Sequence, residues 1–150
     1  VVDVQIGGAK ELQAIGERLE RAAGSGTLFE AVAGAVAGML PEAQEAVSAG
    51  ADRLPQRGGL AARVATTKIT QRITKADNQV NVKLVAEPNA VNDPAAINRG
   101  RVRHQVYGRE PRNPVIQLVP PGFFTDPLNK LAPQIRAKIQ NSVREALGKV

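Results

Sequence analysis

Apolar and polar residues alternate at the start of the chain. Val2, Val4 and Ile6 stand against Asp3 and Gln5, the period-two signature of a half-buried strand, and Gly7-Gly8 ends it. Over residues 10–23 the spacing changes: Leu12, Ile15, Leu19 and Ala22 or Ala23 recur at helical intervals, with Gly24-Ser25-Gly26 as the stop. Thr27-Leu28-Phe29-Glu30 then carries the capping-box pattern, in which Thr27 accepts from the backbone near Glu30 and Glu30 reaches back to the Thr27 amide. A long helix is predicted from there, its apolar stripe running through Phe29, Val32, Val36, Met39 or Leu40, Ala43, Val47 and Ala51 or Leu54. Pro41 lies within it and predicts a kink, or a break into two helices, near Leu40. Gly34, Gly38 and Gly50 lower the helix's intrinsic stability but permit close approach.

Pro55, Gly58 and Gly59 mark a turn out of this helix, and the paired glycines predict at least one backbone site with φ above zero. Residues 61–74 are threonine-rich and β-branched, and 79–86 alternate Val80, Val82, Leu84 and Ala86, so a β-hairpin is predicted with residues 75–78 as its connection. Residues 87–98 hold Pro88, Asn89, Asn92, Asp93 and Pro94, which predicts an exposed loop without regular structure. Two further strands, at about 102–107 and 115–119, would complete an antiparallel sheet. The rigid Pro120-Pro121-Gly122 follows, and then Thr125 or Asp126 caps a helix with Pro127 at its first position. Its stripe is Leu128, Leu131, Ile135, Ile139, Val143 and Leu147, with an early kink expected at Pro133. These elements make an α+β fold: N-terminal helices including one long kinked helix, a small antiparallel sheet and a C-terminal amphipathic helix.

The length, 150 residues, is that of one domain spanning residues 1–150. Hydrophobic residues make up 43% but aromatics only 3%, so the core is built from small side chains and is thin. Completion of that core by neighbouring copies is the expectation, which favours an oligomer. No cysteine is present, which removes disulfides and thiolate metal sites and suits folding inside a cell. No apolar run approaches the roughly 18 residues needed to cross a bilayer, and no signal-peptide pattern is expected. Charge is divided along the chain. Residues 1–60 hold 5 Lys or Arg against 8 Asp or Glu, a net −3, whereas residues 61–150 hold 15 against 6, a net +9. Such halves suit head-to-tail association, the acidic half of one subunit meeting the basic half of the next; an unevenly charged solvated surface would look the same.

Catalytic chemistry has little to draw on. His104 is the single histidine, there is no thiol, and no serine sits in a nucleophile-elbow context. Gly7-Gly8, Gly24-Ser25-Gly26 and Gly58-Gly59 match no phosphate-binding loop and read as turns. No enzymatic activity, cofactor or metal is expected. Arginines, by contrast, concentrate in residues 98–128: Arg99, Arg101 and Arg103 alternate with Gly100 and Val102, so extended backbone would place all three on one face. Arg109 and Arg112 follow, with Tyr107 the segment's one ring before Phe123. These arginines suit phosphates or acidic protein, and with one stacking ring a protein surface is the preferred partner. His104 lacks co-ligands and suits a structural or interface hydrogen bond. Of the adjacent rings Phe123 and Phe124, one is expected in the core and the other either partly buried or anchoring a contact.

The combination of RGRVRHQVYG (99–108), VPPGFFTDPL (119–128) and an amphipathic C-terminal helix resembles a tail-completion or head-to-tail connector family of long-tailed double-stranded DNA phages, particularly phages of actinobacteria. LPQRGGLAARV at 54–64 is similar to that family's middle signature, and the opening strand, glycine and helix fit its beginning. The chain departs from the family in having no Trp near residues 115–119 or in the pre-helical turn; Ile116 and Phe123-Phe124 stand there. The resemblance implies a structural virion protein of the neck, assembled in the host cytoplasm. Several copies, six by match to a hexameric tube, would form a ring between a head-closure or stopper protein and the tail terminator or tail tube. DNA would pass through without specific binding. Candidate interface residues are then Arg99, Arg101, Arg103, His104, Tyr107, Arg109, Phe123 and Phe124, with Pro55, Gly58, Gly59, Pro120, Pro121 and Gly122 as structural turns. A tail terminator is the alternative within that class, and a basic nucleic-acid-binding module the alternative outside it.

Overall fold

The computed structural model describes residues 1–6, 10–24, 26–76, 79–89, 93–104 and 115–150. It shows an α+β fold in which strand β1 (Val2–Ile6) precedes helices α1 (Lys10–Ala23), α2 (Thr27–Ala51) and α3 (Leu60–Ala65). Strands β2 (Ile69–Ala76) and β3 (Gln79–Ala86), helix α4 (Pro94–Asn98), strands β4 (Arg101–His104) and β5 (Val115–Leu118) and helix α5 (Thr125–Gly148) follow. The hairpin β2–β3 forms as the alternation predicts, and β1 adds to the free edge of β3 to give the antiparallel order β1-β3-β2. Register explains the burial: Val2, Val4 and Ile6 lie opposite Ala86, Leu84 and Val82, so one sheet face is apolar from β1 to β3. Helices α2 and α5 pack along each other, α2 also meets β2, and α5 also meets β1 and α1. One connected core results, in which Val32, Val36, Val47, Leu84, Leu128, Ile135 and Val143 are fully enclosed.

Polar side chains of α2 fasten it to the chain beyond. Gln44 donates to the Thr67 carbonyl at 2.8 Å and accepts from the Ile69 amide at 3.4 Å, while the Ser48 hydroxyl donates to the Ala65 carbonyl at 2.8 Å. These bonds satisfy backbone groups where α3 gives way to β2, next to the buried Thr67. From α5, the Ser142 hydroxyl donates to the Ala31 carbonyl at 3.2 Å.

Several expectations are corrected. Of the two outcomes expected at Pro41, a kink or a break, the break does not occur: α2 runs through Pro41 as one element. Pro41 removes the donor for the Ala37 carbonyl, but both residues are exposed, so water can satisfy the orphan acceptor. Pro133 lies inside α5 in the same way, on the exposed side with Asn129. The apolar stripe of α2 begins at Leu28, 4% exposed, whereas Phe29 is 40% exposed. Nor does the capping box form: Gly26 is the cap residue, the Thr27 hydroxyl donates to the Gly24 carbonyl at 2.8 Å, and the Glu30 amide donates to the Gly26 carbonyl. Residues 61–65, read as strand, belong to helix α3, because Leu60, Ala61 and Val64 share a buried face at helical spacing and the β-branched residues take over only after it. Residues 87–98, read as loop, contain helix α4. Asp93 and Pro94, counted as turn formers, are its cap and first residue, and the Asp93 carboxylate accepts from the Ala96 amide at 3.2 Å.

The turn at Pro55 forms as predicted. Gly58 and Gly59 sit at φ of +78° and +74°, in a single 3-10 turn that leads into α3. A side chain built on either glycine would meet nothing within 4 Å, so the cost of substitution is conformational alone. Gly58→Val and Gly59→Val are each expected to lower stability by about 1 kcal/mol or more. Urea denaturation checks this, and an unchanged midpoint in either variant would refute it.

Candidate protein interface

The arginine segment begins at the end of α4. Arg99 closes that helix, and Gly100 follows at φ +86°, a conformation that only glycine adopts without strain. A Cβ at position 100 would fall 2.7 Å from the Val119 carbonyl oxygen, which accepts the chain's close approach here: the Val119 amide donates to the Gly100 carbonyl at 2.9 Å. Extended backbone therefore starts only at Arg101. The expected single face for three arginines is corrected to two, Arg101 and Arg103, with Arg99 set apart by the Gly100 turn.

Strands β4 and β5 pair antiparallel with each other and not with the three-stranded sheet, a second correction. The second edge of β3 is taken by β1 instead. Register pairs Arg101 with Leu118 and Arg103 with Ile116, so these four side chains share one face of the ribbon. Val102 points the other way and is buried. All four residues of β5 are exposed, and Leu118 is 78% and Ile116 55% accessible. Large apolar side chains at that exposure next to two arginines make a mixed apolar and cationic surface, and among the described residues Arg99, Arg101 and Arg103 form no ion pair. His104 is described only in its backbone, opposite Val115; Tyr107, Arg109 and Arg112 lie outside the described residues.

Behind the ribbon, the Pro120-Pro121-Gly122 corner is clasped by a residue that the sequence reading did not single out. Asn98 accepts from the Phe124 and Thr125 amides at 3.0 and 3.1 Å through its side-chain oxygen, and its own carbonyl accepts from the Gly122 amide at 2.8 Å. The expected cap of α5, Thr125 or Asp126, is thus replaced by a side chain more than 25 positions upstream that satisfies the first helix donors. The signal was absent because a cap is normally sought next to its helix. Asp126 instead pairs with Arg53 at 3.2 Å, and Arg53 also donates to the Pro121 carbonyl at 3.3 Å. Asn98→Ala is expected to cost about 1–2 kcal/mol. Thermal denaturation measures it, and Asn98→Ala melting with the parent would show that water caps α5 equally well.

Phe123 and Phe124 are both internal, 1% and 0% exposed, and meet edge to face with centroids 6.3 Å apart. The expectation that one of them faces a neighbour is therefore corrected. Gly122, at φ +86°, turns the chain so that both rings enter the core beside Leu128. Among the described residues, no group of three or more His, Asp or Glu side chains gathers as a metal site, and no helix is long and apolar enough to cross a membrane. Comparison with protein-family models, with curated proteins and with solved structures finds no match for this chain.

Charge complementarity is consumed partly inside the chain. Lys75 pairs with Glu20 at 2.6 Å and Lys83 with Asp3 at 3.5 Å, each joining the basic part to the acidic part, while Arg72 pairs with Glu87.

Proposed function

We propose that this chain is a structural component of the neck of a long-tailed phage, a non-enzymatic ring subunit that joins head-closure proteins to the tail tube and leaves a passage for DNA. The observation that carries the proposal is the β4–β5 ribbon, whose outer face exposes Leu118 and Ile116 beside Arg101 and Arg103, two arginines that form no ion pair among the described residues. Large apolar side chains exposed beside cations suit a joint between proteins. The resemblance of residues 98–128 and 54–64 to the connector family supports placing that joint in the neck. Its mechanism would be mechanical: complementary faces above and below seal the joint, and no cofactor takes part. A tail terminator would use the same surface at the end of the tube.

Replacing Arg99, Arg101 and Arg103 together with Glu is expected to abolish joining of heads to tails while the isolated protein keeps its circular dichroism spectrum. Heads and tails should then accumulate separately in electron micrographs of lysates. Normal joining, or loss of the fold, would overturn the reading. The ribbon arginines also suit phosphates, and a gel shift with duplex DNA at physiological salt separates the two: a ring subunit leaves the DNA unshifted, and a nucleic-acid-binding module retards it.

A further inference from the structure

From the charge, exposure and register of two surfaces we infer that the outer face of the β4–β5 ribbon docks on the outer face of helix α2 in a second copy of this chain. The inference rests on the reading of the ribbon as an assembly surface and adds what occupies it. The ribbon offers two cations and two large apolar side chains and therefore needs an apolar shelf beside carboxylates.

Helix α2 has such a face. Between Glu30 and Glu42 its exposed positions are Gly34, Ala37, Gly38 and Pro41, three turns of surface without a single charged side chain. Gly34 and Gly38 each have open space where a Cβ would stand, so the core gains nothing from them, although each weakens the helix by about 1 kcal/mol relative to Ala. Gly50 on the same helix differs, because Phe123 closes over it. At the end of the shelf Glu42 and Glu45 are exposed and enter no ion pair among the described residues.

Spacing fits as well as charge. Residues two apart on a strand are roughly 6–7 Å apart, and residues three apart on a helix face roughly 5–6 Å. Arg101 and Arg103 can therefore meet Glu42 and Glu45 while Ile116 and Leu118 lie on the shelf that the glycines keep low. The two surfaces belong to different elements, so the contact is heterologous. Each subunit uses its ribbon on one neighbour and α2 on the other, and such a contact closes into a ring when the rotation permits.

The test is sedimentation of the purified full chain at about 100 μM, near the upper range of transient contacts. The parent should self-associate. Arg101→Glu/Arg103→Glu and Glu42→Arg/Glu45→Arg should each weaken association about tenfold or more, and mixing the two variants should restore it, because each then presents a ribbon that matches the other's α2. Gly38→Leu, which fills the shelf without changing charge, should also yield monomers with an unaltered circular dichroism spectrum. A monomeric parent, or a mixture of charge-reversed variants that stays monomeric, would overturn the inference. If the ribbon variants fail to join heads to tails although the purified parent is monomeric, the ribbon contacts a different neck protein, and the proposed function stands without this inference.

Discussion

Truncating Phe123 or Phe124 to Ala is expected to lower the stability of the fold by about 3–5 kcal/mol in either case. Both rings are enclosed, and they supply two of the three phenylalanines in a chain whose described core is otherwise Val, Leu, Ile, Ala and Met39. A close-packed core relaxes only partly into a phenyl-sized void, so much of the cavity persists. The rings touch edge to face, and the double variant should therefore cost less than the sum by about 0.5–1.5 kcal/mol, because each single variant already loses the attraction of the pair. Urea denaturation of the four proteins closes the cycle. A loss below about 1 kcal/mol in either single variant would mean that its ring is not held in the core.

The same two rings show how far the sequence could be read. Period-two and helical spacings located β1, α1, α2, β3 and α5 and most of their buried residues, because those patterns are local. Phe123-Phe124 could not be assigned, since adjacency suggests opposite faces in a strand, whereas a turn after Gly122 lets both rings enter one core. Helix α4 was hidden by the residues that create it: Asp93 and Pro94 are turn formers until the following Ile97 finds a core to pack on. Pairing of β1 with β3, and with it the separation of the ribbon, is a choice between distant partners that no local pattern encodes. At the candidate site the arginines were legible as a cluster but not as a face, because the φ of Gly100 interrupts the alternation. The exposed apolar side chains of β5 were visible only as strand formers until their partner strand placed them opposite Arg101 and Arg103.

Gly50 is expected to be the least replaceable position in α2. In an ordinary helix interior, Gly→Ala stabilises by about 0.8–1 kcal/mol, and Gly34→Ala or Gly38→Ala, each facing open space, should raise the melting temperature accordingly. At Gly50 the sign inverts. A Cβ there would lie 2.3 Å from the Phe123 carbonyl oxygen and 3.1 Å from Pro127 Cγ. The first of these atoms is backbone in the corner that Asn98 holds through three hydrogen bonds to residues 122, 124 and 125, and the second belongs to a proline ring at the start of α5. Neither can rotate away, so the helices α2 and α5 must separate or the corner must unclasp. Gly50→Ala should cost about 1–3 kcal/mol in spite of its helix propensity, and Gly50→Val should cost more. Loss of the corner would also move the residues leading out of the ribbon, since the Val119 amide bonds Gly100 and the Gly122 amide bonds Asn98. Melting temperatures of the Gly34→Ala, Gly38→Ala and Gly50→Ala variants, compared in one buffer, decide the matter: a rise at position 50 like that at 34 and 38 would show that α2 and α5 do not approach through this glycine.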